Sequence, residues 1–415
     1  MRIQNGQTIW TRNYICILLA NFLMQISNFS TNTLVSTYAS FLGAAPTLMG
    51  LMTGMFYGIS LAMRPVAGPV QARVDHRKLL ILVYVLGCVA NAGYALFHSI
   101  PMFLLFRVLH GIEYAFFGSL CMTVAADSVP RVKLASGMGV YGMSSSVAQA
   151  FAPQLGLSIR AWGMARGGED FGYTALFLFS VLMMLLALVP VCSLRTGSPQ
   201  RHAEAATAVR DKWYKSIISR NAIPAAVMVL LIMMSFSIMN SYMVPYGEEL
   251  GIANIGLFFT VLAGTMLVIR PISGRLSDRF GVQKMLVPSI ISFCVAFLVI
   301  GSASAMPLIL FGALLASFGD GTSNPAAQAL SVMLEPREKR AVASNTLYVG
   351  MDVGFFVGPL LGGLILDFAG TYRAVLLGGS VPLALALVVL LVTWKRCARR
   401  IKEVEAMESE APAET

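Results

Sequence analysis

Twelve apolar runs, most of them about 20 residues or longer, divide the chain, at positions 14–37, 47–70, 79–97, 102–126, 135–159, 171–194, 222–246, 255–275, 284–303, 307–333, 341–366 and 372–394. Runs of this length leave few folding choices. Inside a bilayer every backbone N–H and C=O must be bonded within its own segment, so each run is expected to be a transmembrane helix. Of 415 residues 57% are hydrophobic and only 12% charged, and the mean hydropathy is +0.73; a soluble domain carries roughly 25% charge. The expected class is an all-α, multi-pass integral membrane protein with the lipid bilayer as its partner.

The net charge of +10 raises the alternative of a nucleic-acid partner. With both termini placed in the cytoplasm, every Lys and Arg except Arg107, Arg160, Arg166 and Arg373 falls in a loop, helix end or tail on that side. Basic residues enriched on the cytoplasmic side orient membrane proteins, so no nucleic acid is needed to explain the charge. The intervening loops 39–46, 98–101, 247–254 and 302–306 hold no Lys or Arg. The first apolar run carries Asn21, Gln25, Asn28 and Asn32 and leads into a second run, which marks it as a retained helix rather than a secretory leader. The six cysteines form no CxxC pair and are expected to be small apolar fillers, with no metal site.

The chain is written twice. "RPVAGPVQARVDHRK" from Arg64 and "RPISGRLSDRFGVQK" from Arg270 align without a gap, and the same register joins Gly50 to Gly256, Pro101 to Pro307, Pro130 to Pro336, Pro153 to Pro359 and Gly156 to Gly362. Two six-helix bundles are expected, at 1–194 and 221–394. A polar, basic cytoplasmic linker joins them at 195–220, and a disordered cytoplasmic tail follows at 395–415. Parallel repeats of six spans place a pseudo-twofold axis along the membrane normal, with a binding site between the halves near the midplane.

The duplicated loop resembles the signature of the major facilitator superfamily of secondary transporters, G-x-L-x-D-R-x-G-x-x-K/R. Gly274, Leu276, Asp278, Arg279, Gly281 and Lys284 meet it in full, whereas the first copy meets it only at Gly68, Arg73 and Lys78. The resemblance covers almost the whole chain. It implies twelve helices as two pseudo-symmetric bundles, alternating access, a small-molecule substrate and a place in the plasma membrane; a monomer is expected.

Ionisable residues inside spans are costly and mark ion or substrate paths or structural pairs. Here they are Arg107, His110 and Glu113 in span four, Asp320 in span ten and Asp352 in span eleven. "FRVLHGIEYA" resembles the proton-antiporter pattern R-x-x-Q-G-x-x-x-A, with His110 in the Gln position, and that resemblance implies a role for Arg107 in proton transfer. Scarce water favours the neutral form of a carboxylate and a neighbouring cation favours the charged form, so Glu113 beside Arg107 and His110 is a candidate proton carrier; a static Arg107–Glu113 pair is the structural alternative. The candidate substrate residues are Asn21, Gln25, Asn28 and Asn32 on one face of span one, Asp320, Asn324 and Gln328 in span ten, and Asn345, Tyr348 and Asp352 in span eleven. Interhelical hydrogen bonding is the other use for such stripes. Gly319, Gly321 and Pro325 are expected to loosen span ten around Asp320. The four-residue glycine spacing of span eleven, whose GPxxGG ending resembles one that drug/proton antiporters carry in span five, is expected to permit close helix approach.

No GxxxxGK[ST] loop is present, so an ion gradient rather than ATP is the expected energy source, with no cofactor. Proton-coupled export of a drug-like compound, sugar or metallophore is the first reading and proton-coupled uptake of a metabolite the second. An intramembrane aspartyl protease built on Asp320 and Asp352 is a remote third, since GDG replaces the GxGD such enzymes use.

The two basic turns are expected to act as cytoplasmic gating loops formed around Gly68, Arg73 and Asp75 and around Gly274, Asp278, Arg279 and Gly281, with Gly274 permitting close helix packing. A carboxylate at Asp278 suits the positive start of span five, near Leu134 to Ser136; Ala72 cannot do the same for span eleven, and Asp75, three residues on, is expected to serve only in part. Asp278→Asn is expected to raise the inward-open population and Ala72→Asp to lower it, as measured by spin-label distances; no change in either would remove the latch.

Overall fold

The computed structural model describes residues 9–130, 134–194, 218–252, 254–336 and 339–410. The helices, in chain order, are α1 (Arg12–Asn32), α2 (Val35–Phe41), α3 (Pro46–Arg73), α4 (His76–Leu96) and α5 (Ile100–Asp127). A 59-residue helical stretch, Leu134–Cys192, follows and loses helical geometry at Gly167 and Gly168, which separates α6 (134–166) from α7 (169–192). The remainder are α8 (Ile223–Glu249), α9 (Gly256–Phe280), α10 (Val282–Gly301), α11 (Met306–Met333), α12 (Arg340–Ala369), α13 (Tyr372–Gly378) and α14 (Ser380–Glu410). No strand occurs among the described residues. Among the described residues eleven segments are long and apolar enough to cross a membrane, and the longest, Val140–Cys192, has 53 residues and holds the Gly167–Gly168 break, which leaves room for the twelve crossings expected.

Local chemistry sets the helix ends. Thr11 caps α1 by accepting from the Tyr14 amide, and Asp75 caps α4 by accepting from the Lys78 amide at 3.0 Å. Asp75, expected to serve a gate, thus has a cap to hold on its own helix. Gly168 has φ +80° and reverses the chain between α6 and α7; Gly281, φ +91°, does so between α9 and α10. The α6–α7 reversal is tighter than the expected outer loop 160–170. Arg160 accordingly lies inside α6, only 7% exposed, with its guanidinium 4.7 Å from the Tyr173 ring and 3.9 Å from Glu169.

The described residues gather in two compact units, 9–44 with 59–194 and 45–58 with 218–410. This boundary differs from the expected 1–194. Residues 45–58 of α3 belong with the second unit because Gly50 and Gly54 lie against the backbone of Pro359 and Phe356, and Tyr57 stacks on Phe355 at 4.6 Å. Of the expected linker, 195–217 lie outside the described residues. The expected disordered tail is another correction, since α14 stays helical to Glu410. Two buried residues one heptad apart, Cys397 and Val404, and an Arg400–Glu403 pair at 3.2 Å hold that extension.

Each unit is built on an equivalent seam. In the first, α1 packs along α6, where a side chain at Gly156 would collide with the Ser30 carbonyl. In the second, α8 packs along α12, where side chains at Gly350, Gly354, Gly358 and Gly362 would collide with Ala226, Leu230, Met234 and Tyr242. The approach is close enough for Ser237 Oγ to donate to the Gly354 carbonyl at 3.2 Å and Tyr242 Oη to the Pro359 carbonyl at 2.7 Å. Small residues drive such seams in membranes by letting backbones meet. At Gly274, by contrast, a Cβ would meet no atom of the described residues within 4 Å.

The seam is therefore sensitive to single methyl groups. Gly358→Ala is expected to cost about 1–3 kcal/mol by overpacking and to lower the melting temperature in detergent. Gly118→Ala, with nothing within 4 Å of the new Cβ, is expected to leave it unchanged or slightly raised; equal melting temperatures for the two variants would show that the seam is not tight.

Candidate functional site

In the first unit α5 carries Arg107, His110 and Glu113, all with 0% exposure. Their spacing of three residues puts them on adjoining faces of one helix. Tyr94 of α4 bonds to both of the first two: it accepts from Arg107 and lies 3.4 Å from His110 Nδ1. On the far side of the ring, His110 Nε2 lies 3.2 Å from Asn28 Oδ1 on α1. Asn28 Oδ1 can only accept, so Nε2 carries the imidazole hydrogen and Nδ1 accepts from the Tyr94 hydroxyl. The result is a chain of one polarity, running Arg107, Tyr94, His110, Asn28.

Glu113 stands one step aside from this chain. Its Oε2 is 3.8 Å from His110 Nε2, beyond hydrogen-bond reach, and neither carboxyl oxygen has a hydrogen-bond partner among the described residues. Its stem lies against α4, where a Cβ on Gly87 would be 3.4 Å from Glu113 Cγ. An ionised carboxylate buried this way costs several kcal/mol unless paired. The described contact of Glu113 is thus with His110, and the guanidinium of Arg107 faces Tyr94 and the Phe103 ring, 5.8 Å away.

The span-one stripe divides by use. Asn21 donates to Ser144 and Ser145 of α6 at 3.0 and 3.1 Å and accepts from Tyr141 at 3.0 Å, while Gln25 donates to Ser145 at 3.3 Å. These two amides bond α1 to α6, and Asn28 joins the His110 chain. Asn32 leaves its Oδ1 buried without a partner.

In the second unit α11 stays helical through Gly319, Gly321 and Pro325, where loosening was expected. Gly319 instead lets α10 approach, since a Cβ there would collide with Phe293. Asp320 is 2% exposed, with Oδ1 buried and unbonded, and its electrostatic partner is Arg270 on α9. Next to it Ser273 Oγ donates to the Gly321 carbonyl at 3.4 Å. Further along α11, Gln328 donates to Asn324 Oδ1 at 2.9 Å. Gln328 and Tyr348 line a cavity of about 390 Å³ together with Val332, Ser344 and Leu347. Asp352 is buried on α12 and Asn345 half-buried on the same helix. Of the gating residues, Arg279 is exposed beside the Phe280 ring, whereas Gly68, Ala72, Arg73, Asp278 and the segment Leu134 to Ser136 lie outside the residues whose side chains are described.

Two participants were not anticipated from sequence. Arg270 looked like part of a basic loop, yet α9 runs on to Phe280, which leaves Arg270 about 15 Å inside the helix end at 1.5 Å per residue; that depth was the available signal. Tyr94 is one aromatic residue in an apolar span, and nothing in its spacing singled it out.

A profile of the major facilitator superfamily matches residues 17–261 and 225–414. The staphylopine export protein of Staphylococcus aureus is 20% identical over 369 residues, covering 84% of this chain and 89% of that one. The multidrug resistance protein MdtG of Proteus mirabilis is 32% identical over 143 residues, 32% of this chain and 35% of its own. Among solved structures, a bacterial homologue of the human lysosomal transporter Spinster, inward-facing and unoccupied, superposes with a TM-score of 0.76 at 16% identity, covering 94% of this chain and 97% of that one. The nucleoside transporter NupG gives a TM-score of 0.74 at 10% identity, covering 92% of this chain and 99% of that one. These relatives and neighbours are transporters and not enzymes, so the aspartyl-protease reading is set aside. With two homologous halves, a helical architecture throughout the described residues and a family match across the chain, the protein belongs to the major facilitator superfamily and is a multi-pass membrane transporter rather than an enzyme.

Proposed function

We propose that this protein is a proton-coupled exporter of a small organic molecule, working by alternating access in the plasma membrane with both termini in the cytoplasm. The observation that carries the reading is Glu113: a fully buried carboxylate, without a hydrogen bond among the described residues, 3.8 Å from the Nε2 of a histidine that two other helices hold in one tautomer. Once the Tyr94 hydroxyl has turned away, a hydronium ion from the opened cavity gives its proton to His110 Nδ1 and leaves as water, which makes the ring an imidazolium. The Nε2 hydrogen then passes to Glu113 Oε2 once that distance closes to about 3 Å, leaving a neutral ring with its hydrogen on Nδ1. Tyr94 and Asn28 are the groups that orient the ring, with Arg107 facing Tyr94.

The names of the relatives, an export protein and multidrug resistance proteins, support export over uptake. The substrate side of the cycle falls to Asp320 with Arg270, which offer both charges, to Asn324, and to the 390 Å³ cavity beside Gln328 and Tyr348. That volume is in the range of small-molecule sites, roughly 300–1,000 Å³.

Glu113→Gln in liposomes is expected to abolish flux driven by a pH gradient while leaving gradient-free exchange of labelled substrate intact; wild-type gradient-driven flux would overturn the proton role. A thermal-shift screen of the purified protein against amines, sugars, amino-acid derivatives and metallophores supplies the ligand, since binding to the native state raises its stability. Against that ligand Asp320→Asn is expected to weaken binding about tenfold or more, the magnitude of a hydrogen bond to a charged group. An unchanged dissociation constant would restrict Asp320 to a structural part.

A further inference from the structure

α14 carries one continuous exposed stripe. Val381, Leu385, Val388 and Val392 are each at least half exposed, and their spacing of four, three and four residues continues by four to Arg396 and by three to Arg399, both exposed. At 100° per residue all six fall within an arc of about 80°. The change from apolar to basic happens at Trp394, a residue type that settles at the membrane–water boundary. Arg396 and Arg399 lie about 3 and 7 Å beyond it along the axis. That is the depth of the headgroup layer, which adds roughly 5–8 Å to each side of the hydrocarbon core.

At this level the helix borders a cavity of about 210 Å³, whose lining includes Arg396, Arg399, Arg400, Asn221, Leu334 and Glu403. Arg400 is committed: its Nε donates to the Leu334 carbonyl at 3.3 Å, and its guanidinium lies 3.2 Å from Glu403 and 3.8 Å from Glu335. Glu335 is itself buried and bonded by Ser219 and Asn221. The local acids are thereby held by groups other than Arg396 and Arg399, neither of which forms an ion pair with a described side chain. Two uncommitted guanidinium groups face a cavity large enough for a phosphate, directly below a lipid-facing apolar stripe.

We propose that this is a seat for one anionic phospholipid, its phosphodiester held by Arg396 and Arg399 and one acyl chain lying along Val392, Val388 and Leu385. Guanidinium forks match phosphate oxygens in charge and geometry, and the stripe supplies what free phosphate would not use. The proposal needs only the membrane placement of α14 and is independent of the transport reading.

Native mass spectrometry of the purified protein in detergent tests it, with phosphatidylglycerol, phosphatidylcholine and inorganic phosphate added in turn and acyl chains matched. Wild type is expected to retain one phosphatidylglycerol in clear preference to phosphatidylcholine. Arg396→Gln with Arg399→Gln is expected to weaken phosphatidylglycerol binding about thirtyfold, roughly fivefold for each arginine near the surface, with the melting temperature of the lipid-free protein unchanged. Lys395→Gln with Lys402→Gln removes the same charge from side chains that do not line the cavity and is expected to cost less than fivefold. Equal losses in the two double variants would overturn the seat in favour of diffuse attraction. Absence of a headgroup preference in wild type, or displacement of the lipid by millimolar inorganic phosphate, would overturn it as well.

Discussion

A polar group in the middle of a membrane has only the protein to bond to. That constraint accounts for more of this molecule than any single contact. It forces the backbone into helices, and it decides how the few polar side chains are spent. Asn21 and Gln25 bond α1 to α6, Ser237 and Tyr242 bond α8 to α12, and Asn28 and Tyr94 close on the two nitrogens of His110. Glu113 and Asp320 are the acids that keep a carboxyl oxygen buried and without a hydrogen bond among the described residues, and an unpaired buried carboxylate is costlier than an unpaired amide or hydroxyl.

The two seams show what the duplication preserves. Gly156 and Gly362 occupy the same place in the repeat, and each presses against the first long helix of its own unit. Chemistry was not preserved with packing. The first unit carries Arg107, His110 and Glu113 on α5; at the same offset the second carries Ala313, Ala316 and Gly319 on α11 and places its acid next door, at Asp320. The two halves thus place their buried ionisable groups differently on a shared scaffold.

How much was legible in the sequence follows from the range of the forces involved. Apolar length and the positive-inside bias are properties of whole segments, so the crossings could be read directly, and glycine at spacing four announced the α8–α12 seam. Pairing between helices is not written locally. Arg270 acts electrostatically on Asp320 across fifty residues and Tyr94 meets His110 across sixteen, and neither acid nor imidazole names its partner in its own segment. The glycines around Asp320 were ambiguous for a related reason: the same residue that weakens an isolated helix strengthens one with a neighbour, and Phe293 supplies that neighbour for Gly319. The acidic end of the chain misled through composition, because two buried residues, Cys397 and Val404, outweigh many exposed charges.

In the proton-coupled cycle proposed above, the polarity of the Arg107–Tyr94–His110–Asn28 chain would set the stoichiometry. A proton that enters at Nδ1 and leaves from Nε2 exchanges the two nitrogens' roles, so the ring that remains offers Tyr94 a donor where it had offered an acceptor. Tyr94 already accepts from Arg107, and Asn28 Oδ1 is left facing a bare nitrogen. Until the ring turns over or returns the proton, a second transfer finds the path reversed. A relay of this kind counts: it admits a single proton and then waits for the protein to move.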